Sequence, residues 1–249
     1  MDKKENGFTI IEVSIFLAVT GFITAAFLAG FFSNLSRQRY TDSVQNFAEY
    51  LRTAYAEVES PQNSGKGVES MSDACKVKNS ATPSKAGRSS CAIYGKYIVF
   101  GNNGKKEILK YTVVGRLVEK EEADTTEKAL KLIAVNENSL FLKDELAYSI
   151  VWEGQIQEKD SKNVKGASVL IVRSPIDGTI KTFYLDKAEP NIRNFVENMS
   201  INPDVDFCVY TDDVPSLGGV RRDVRLKANS INANSIELIE NDSADNRCK

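Results

Sequence analysis

The chain has 249 residues, of which 42% are hydrophobic, and a formal net charge of −2. That supports one core of about 150–200 residues plus appendages, with no collagen-like, low-complexity or solenoid pattern. It contains no histidine, which excludes Ser-His and Cys-His catalysis, histidine metal sites and the usual neutral-pH proton shuttle.

From Phe8 to Phe32 the chain is almost continuously apolar, except that Glu12 sits inside the run. Twenty-five helical residues rise about 38 Å, enough to cross a hydrocarbon layer of about 30 Å with some tilt. A secretory signal peptide would have a shorter apolar core followed by a small-residue cleavage site. Only Thr24-Ala25-Ala26 resembles such a site, so the segment is expected to stay on the chain as an anchor. A carboxylate there costs about 2.5–3.5 kcal/mol at a helix centre and less near an end. Glu12 therefore needs a reason.

The helical pattern continues past the anchor. Tyr40, Val44, Phe47, Leu51, Ala54, Tyr55 and Val58 recur at steps of three and four, the stripe of an amphipathic helix. Ser60-Pro61 and the Gly/Ser-rich residues that follow end it. One helix is thus predicted over 8–59, with 8–32 crossing a membrane and 33–59 one-sided.

The residues Lys3-Lys4-Glu5-Asn6-Gly7-Phe8-Thr9-Ile10-Ile11-Glu12 resemble the N-terminus of type IV pilins and pseudopilins. The likeness is strong over about Lys3–Phe32, holds in character to Glu59, and draws nothing from beyond Pro61. It implies a leader, residues 1–7, cut after Gly7 by a prepilin peptidase that also methylates the new amino group of Phe8. Glu12 would then be the filament-registration charge, pairing with the N-terminal amine of a neighbouring subunit. The implied partners are that peptidase, other pilin subunits through the N-terminal helix, a membrane assembly platform, and the lipid bilayer before assembly. The sequence departs from many pilins in having no proline within the apolar helix, leaving Gly21 and Gly30 as its only weak points. Flanking charge taken alone slightly favours the opposite orientation, because Arg37, Arg39 and Arg52 follow the span. The leader motif and the cysteines outweigh it and place the C-terminal part outside.

Residues 60–90 read as a loop, and 91–249 as a β-rich extracytoplasmic head. Four cysteines, Cys75, Cys91, Cys208 and Cys248, lack any C-x-x-C pair and point to disulfides in an oxidising compartment. Three pairings are possible; chain proximity favours Cys75–Cys91 with Cys208–Cys248. "CAIYGKYIVF" and "EILKYTVVG" flank Gly101-Asn102-Asn103-Gly104, a hairpin signal. "LAYSIVWEGQI" is read as a strand carrying the only tryptophan, Trp152, which is assigned with the tyrosines to the core. "ASVLIVR" and "TIKTFYL" are joined by the turn Ser174–Gly178. Pro190 opens a short helix with Ile192, Phe195, Val196 and Met199 on one face, and "DFCVY" and "VRRDVRL" are late strands. The fold class expected is α+β, a long helix packed on a mainly antiparallel head.

Signals for chemistry are weak. The Gly101–Lys105 stretch lacks phosphate-loop spacing. Asp204, Asp206, Asp212 and Asp213 cluster without a calcium-loop pattern and read as solvated turn carboxylates, although some pseudopilins hold calcium. Neither a cofactor nor a metal is expected, and no enzymatic activity. Charge is polarised along the chain: residues 75–116 carry nine basic side chains and one acidic, and residues 117–160 carry five basic and eleven acidic. A basic stretch could bind DNA, but no nucleic-acid fold motif accompanies it, so contact between neighbouring heads or plain solvation is the preferred reading.

The whole is read as a structural subunit, of the minor or tip kind, of a type IV pilus or a type II secretion-like filament. It would be a single-pass cytoplasmic-membrane protein until assembly, then part of a surface or periplasmic filament. The alternative is a membrane-anchored extracytoplasmic binding domain or enzyme with a fortuitous pilin-like N-terminus.

Overall fold

The computed structural model describes residues 9–60, 91–116, 118, 121–135, 140–152, 154–157, 163–210, 222–239 and 248. One unbroken helix, α1 (Ile10–Glu59), passes through both Gly21 and Gly30 without a break. The loop expected over 60–90 lies, past Ser60, outside the described residues.

The rest is α+β and antiparallel throughout the described strand pairs. In chain order it comprises β1 (Cys91–Phe100), β2 (Ile108–Arg116), α2 (Thr126–Ala134), β3 (Leu140–Tyr148), β4 (Gln155–Gln157), β5 (Ala167–Arg173) and β6 (Ile180–Leu185). There follow α3 (Ile192–Asn198), β7 (Ser200–Ile201), β8 (Val205–Tyr210), β9 (Arg222–Leu226) and β10 (Ile236–Ile239). A six-stranded sheet has the order β3-β2-β1-β5-β6-β7 and a four-stranded sheet the order β10-β9-β8-β4.

The six-stranded sheet is covered on both faces, which is why β1 and β5 read as nearly continuous apolar runs. On one face Ile98, Phe100, Val169 and Ile171 meet α1. On the other, Tyr97, Val99, Leu170, Val172 and Phe183 meet Leu130 and Ile133 of α2 and Phe195 and Val196 of α3. The predicted stripe on α1 is buried over its full length, from Tyr40 to Val58, and it packs against both sheets at once. Gly95 permits a close approach between β1 and β5: a Cβ there would lie 1.9 Å from the Ile171 carbonyl oxygen.

Both predicted hairpins form, β1–β2 and β5–β6. The first turn uses left-handed backbone at Gly101 (φ 63°), Asn103 and Gly104, which glycine and asparagine adopt at least cost. In the second, Asp177 Oδ1 accepts the Thr179 N–H at 3.0 Å and its hydroxyl at 2.7 Å.

Two expectations need correction. The strand read across Leu146–Ile156 is instead the end of β3, a turn, and β4. Trp152 lies in that turn with φ 58° and is 45% exposed, so it is not core; the tyrosines at 40, 55, 94, 97 and 184 are buried as expected, whereas those at 50, 111, 148 and 210 are only half-buried. The acidic stretch, read as part of a β-rich head, contains helix α2. The helix starts where the Thr125 hydroxyl accepts the Lys128 N–H at 3.3 Å, and it buries Ala129, Leu130, Ile133 and Ala134.

Cys208 on β8 is bonded to Cys248, and both are buried. Cys75 lies outside the described residues, and with it the Cys75–Cys91 pairing. The Cys208–Cys248 bridge spans 40 residues, a loop whose closure is worth about 4 kcal/mol by the chain-entropy estimate. A Cys208→Ala/Cys248→Ala chain should therefore unfold at distinctly lower urea concentration than the oxidised parent. Coincident unfolding curves would show that the bridge contributes nothing.

Candidate functional site

Every described side chain from Thr9 to Phe32 is exposed. Among the described residues no part of the head covers this half of α1, and it is long and apolar enough to cross a membrane. Its polar groups are few and locally satisfied. The hydroxyls of Ser14, Thr20 and Thr24 donate to the carbonyls four residues back, at 2.9, 2.7 and 2.8 Å, which hides them from an apolar surrounding.

Glu12 is the only charged residue from Thr9 through Ser36. It forms a capping box with Thr9: the Thr9 hydroxyl accepts the Glu12 N–H at 3.3 Å, while the Thr9 N–H and hydroxyl each donate to Glu12 Oε2 at 3.0 Å. The carboxylate thus satisfies the Thr9 N–H, and the Thr9 hydroxyl the Glu12 N–H, two backbone donors at the helix start. Among the described residues nothing donates to Oε1. An ionised carboxylate accepts up to about four hydrogen bonds, so Glu12 can cap its own helix and still receive an ammonium group. The Thr9-x-x-Glu12 spacing is a capping signal in its own right, hidden in the sequence by the apolar run around it. Gly7 and Phe8, the expected cleavage and methylation positions, lie outside the described residues.

The polarised charges in the head are partly spent within it. Glu57 on α1 binds Lys110 of β2 through both oxygens, at 2.8 and 3.0 Å, and Lys96 of β1 at 3.2 Å. Arg116 pairs with Glu122 at 2.9 Å, so the basic and acidic stretches meet inside one chain. Lys105 and Lys106 lie in the exposed β1–β2 turn. The aspartates are not the simple solvated group expected. Asp206 forms an ion pair with Arg225 at 2.6 Å with both side chains mostly buried, and Asp204 Oδ1 accepts the Ala228 N–H at 2.8 Å. Asp212 and Asp213 lie outside the described residues. Among the described residues no group of three or more Cys, Asp and Glu is placed to hold a metal ion.

A cleft of about 330 Å³ lies beside these aspartates, lined in part by Lys165, Tyr184 and Asp186. Its polar groups engage one another: the Tyr184 hydroxyl donates to Asp186 at 2.6 Å, and Lys165 donates to the Asp206 carbonyl at 3.3 Å.

No family model, curated protein or solved structure matches the chain. The candidate site is therefore defined by its own geometry, an uncovered apolar helix with one carboxylate near its start.

Burial raises the Glu57 pKa, but hydrogen bonds and charge from Lys110, and then from Lys96, outweigh it and leave the carboxyl below its usual value. A lowered folded value contributes stability above the unfolded pKa of about 4.3 and loses it as pH falls through the folded pKa. Glu57→Gln should cost about 1–2 kcal/mol at pH 7, allowing for the solvent that reaches the carboxylate. The gap from the parent should close under acid conditions. A gap that does not change with pH would rule out the ion pair as its source.

Proposed function

We propose that the chain is a structural subunit, of the minor or tip kind, of a type IV pilus or type II secretion-like filament. Before assembly its apolar half lies in the bilayer; afterwards the same half packs among the helices of other subunits. In this reading a prepilin peptidase removes residues 1–7 and methylates the Phe8 amine.

The observation that carries the proposal is the lone carboxylate on a helix half that the described residues of the head leave uncovered. Helix association in lipid gains little from apolar burial and depends on packing and polar contacts. A single charge with a single fitting partner, the N-terminal ammonium of a neighbour, makes every other register leave a charge unpaired. The open Oε1 of Glu12 suits that partner, and the Thr9 bonds hold the carboxylate in place for it.

The capping box separates two roles of Glu12 that a single alanine variant would confuse. Gln also completes a capping box, so Glu12→Gln keeps the helix start and removes only the charge. Both Glu12→Gln and Glu12→Ala chains should insert into the membrane at least as well as the parent. Incorporation of the Gln variant into sheared filaments should fall about ten- to hundredfold, as expected for loss of about 1.5–3 kcal/mol of charged hydrogen bonding. Equal incorporation of parent and Gln variant would overturn the registration role.

A further inference from the structure

We propose that the turn carrying Trp152, together with Arg37 and Arg39 of α1, is an interfacial foot that seats the head on the headgroup layer of an anionic bilayer. The inference rests on the membrane-spanning reading of the apolar half of α1 and adds a second contact with the same membrane.

Trp152 is poorly explained as a packing residue. It holds a left-handed backbone (φ 58°), a strained conformation for a non-glycine residue, yet it is 45% exposed and Val151 is 38% exposed. The turn is pinched beneath them. Ile150 is buried and bridges to Gly154, where a Cβ would lie 2.4 Å from the Ile150 Cγ2 methyl. The structure thus pushes one large aromatic outward on a firm base.

The direction in which it points follows from α1. Tyr148, at the end of β3, donates to Asn46 at 2.5 Å and stacks on Tyr50 at 4.0 Å. Four residues later Trp152 lies beneath the Arg39 guanidinium, 4.7 Å from the ring centroid. The chain has therefore descended along α1 toward the apolar half. Arg39 is seven residues past Phe32, about 10 Å by helix rise, and helix side chains lean back toward the N-terminus. The headgroup zone adds about 5–8 Å on each side of the hydrocarbon. The Trp–Arg pair therefore reaches the outer part of that zone.

Charge and side-chain type fit the same partner. Arg37 and Arg39 are the only charged residues on α1 between Glu12 and Asp42, and both are exposed. Basic side chains next to an anionic leaflet are attracted to it, and tryptophan prefers the interface between lipid and water.

Trp152 is the chain's single tryptophan, so its fluorescence reports on this turn alone. The full chain is reconstituted in vesicles of equal parts phosphatidylcholine and phosphatidylglycerol. Lipid spin-labelled at the headgroup should remove most of the Trp152 emission, lipid brominated at the acyl-chain end should leave it, and aqueous iodide should reach it poorly. Replacing phosphatidylglycerol with phosphatidylcholine should restore access to iodide. A Phe22→Trp/Trp152→Phe chain places the probe in mid-span and should be quenched by the chain-end bromines. If that control is quenched but Trp152 ignores headgroup label and is open to iodide, the foot is overturned while the span stands. An unquenched control would overturn the span and the foot with it. Shielding of Trp152 that appears only in assembled filaments would assign the turn to a neighbouring subunit and overturn the lipid proposal.

Discussion

Phe47 of α1 stands edge-on to two other rings, Phe100 of the six-stranded sheet at 6.2 Å and Phe207 of the four-stranded sheet at 5.8 Å, and all three are fully buried. Phe100 and Phe207 also meet directly, with ring centroids 4.9 Å apart, so helix and both sheets share one aromatic cluster. The stripe from Tyr40 to Val58 supplies the apolar surface on which both sheets close, and aromatic side chains of this size dominate the energetics of such a core. Polar contacts then fix the fit. The Tyr40 hydroxyl donates to the Val209 carbonyl at 3.1 Å, Arg52 donates to the Ile236 carbonyl at 3.1 Å, and the Tyr55 and Thr182 hydroxyls share a bond of 2.8 Å. One helix face is held by both sheets.

That constraint couples the two ends of the molecule. Because α1 runs unbroken from Ile10 to Glu59, the rotation and height of the head are set by the same helix that carries Glu12. The distance from Glu12 to Phe47 is about 53 Å by helix rise, with no proline and no described break between them. In the proposed filament, registration at Glu12 would therefore fix where each head lies. In the proposed membrane-bound state, the same rigidity would set the height of Trp152 above the bilayer. The ion pairs of Glu57 with Lys96 and Lys110 serve this coupling, since they fasten the last turns of α1 to β1 and β2.

The long helix was legible because its apolar residues repeat at helical spacing over many turns, so no single tertiary contact decides the outcome. The two hairpins were legible because Gly101, Asn103, Gly104 and Gly178 occupy backbone that most residues avoid. Helix α2 was hidden: nine residues with Glu127, Lys128 and Lys131 among them look like part of a charged run. Its signals, a Thr125 cap and the spacing of Ala129, Leu130 and Ile133, are brief. The division into two sheets could not be read locally, since β4 finds β8 some fifty residues later. Trp152 was misplaced because its apolar neighbours resemble a strand, whereas Arg39 and the close fit of Ile150 against Gly154 hold it in a turn. At the candidate site the sequence marks Glu12 as anomalous, and the bond geometry adds that it caps its own helix and keeps one oxygen open.

The central claim is that the uncovered half of α1 is a pilin-type assembly helix, and the chemistry of its first residue tests this most directly. Intact-mass measurement and N-terminal sequencing of the chain recovered from its native membrane should give a protein beginning at Phe8 that carries one added methyl group. A chain beginning at Met1, or one cut near Phe27 after the Thr24-Ala25-Ala26 stretch, would contradict the account.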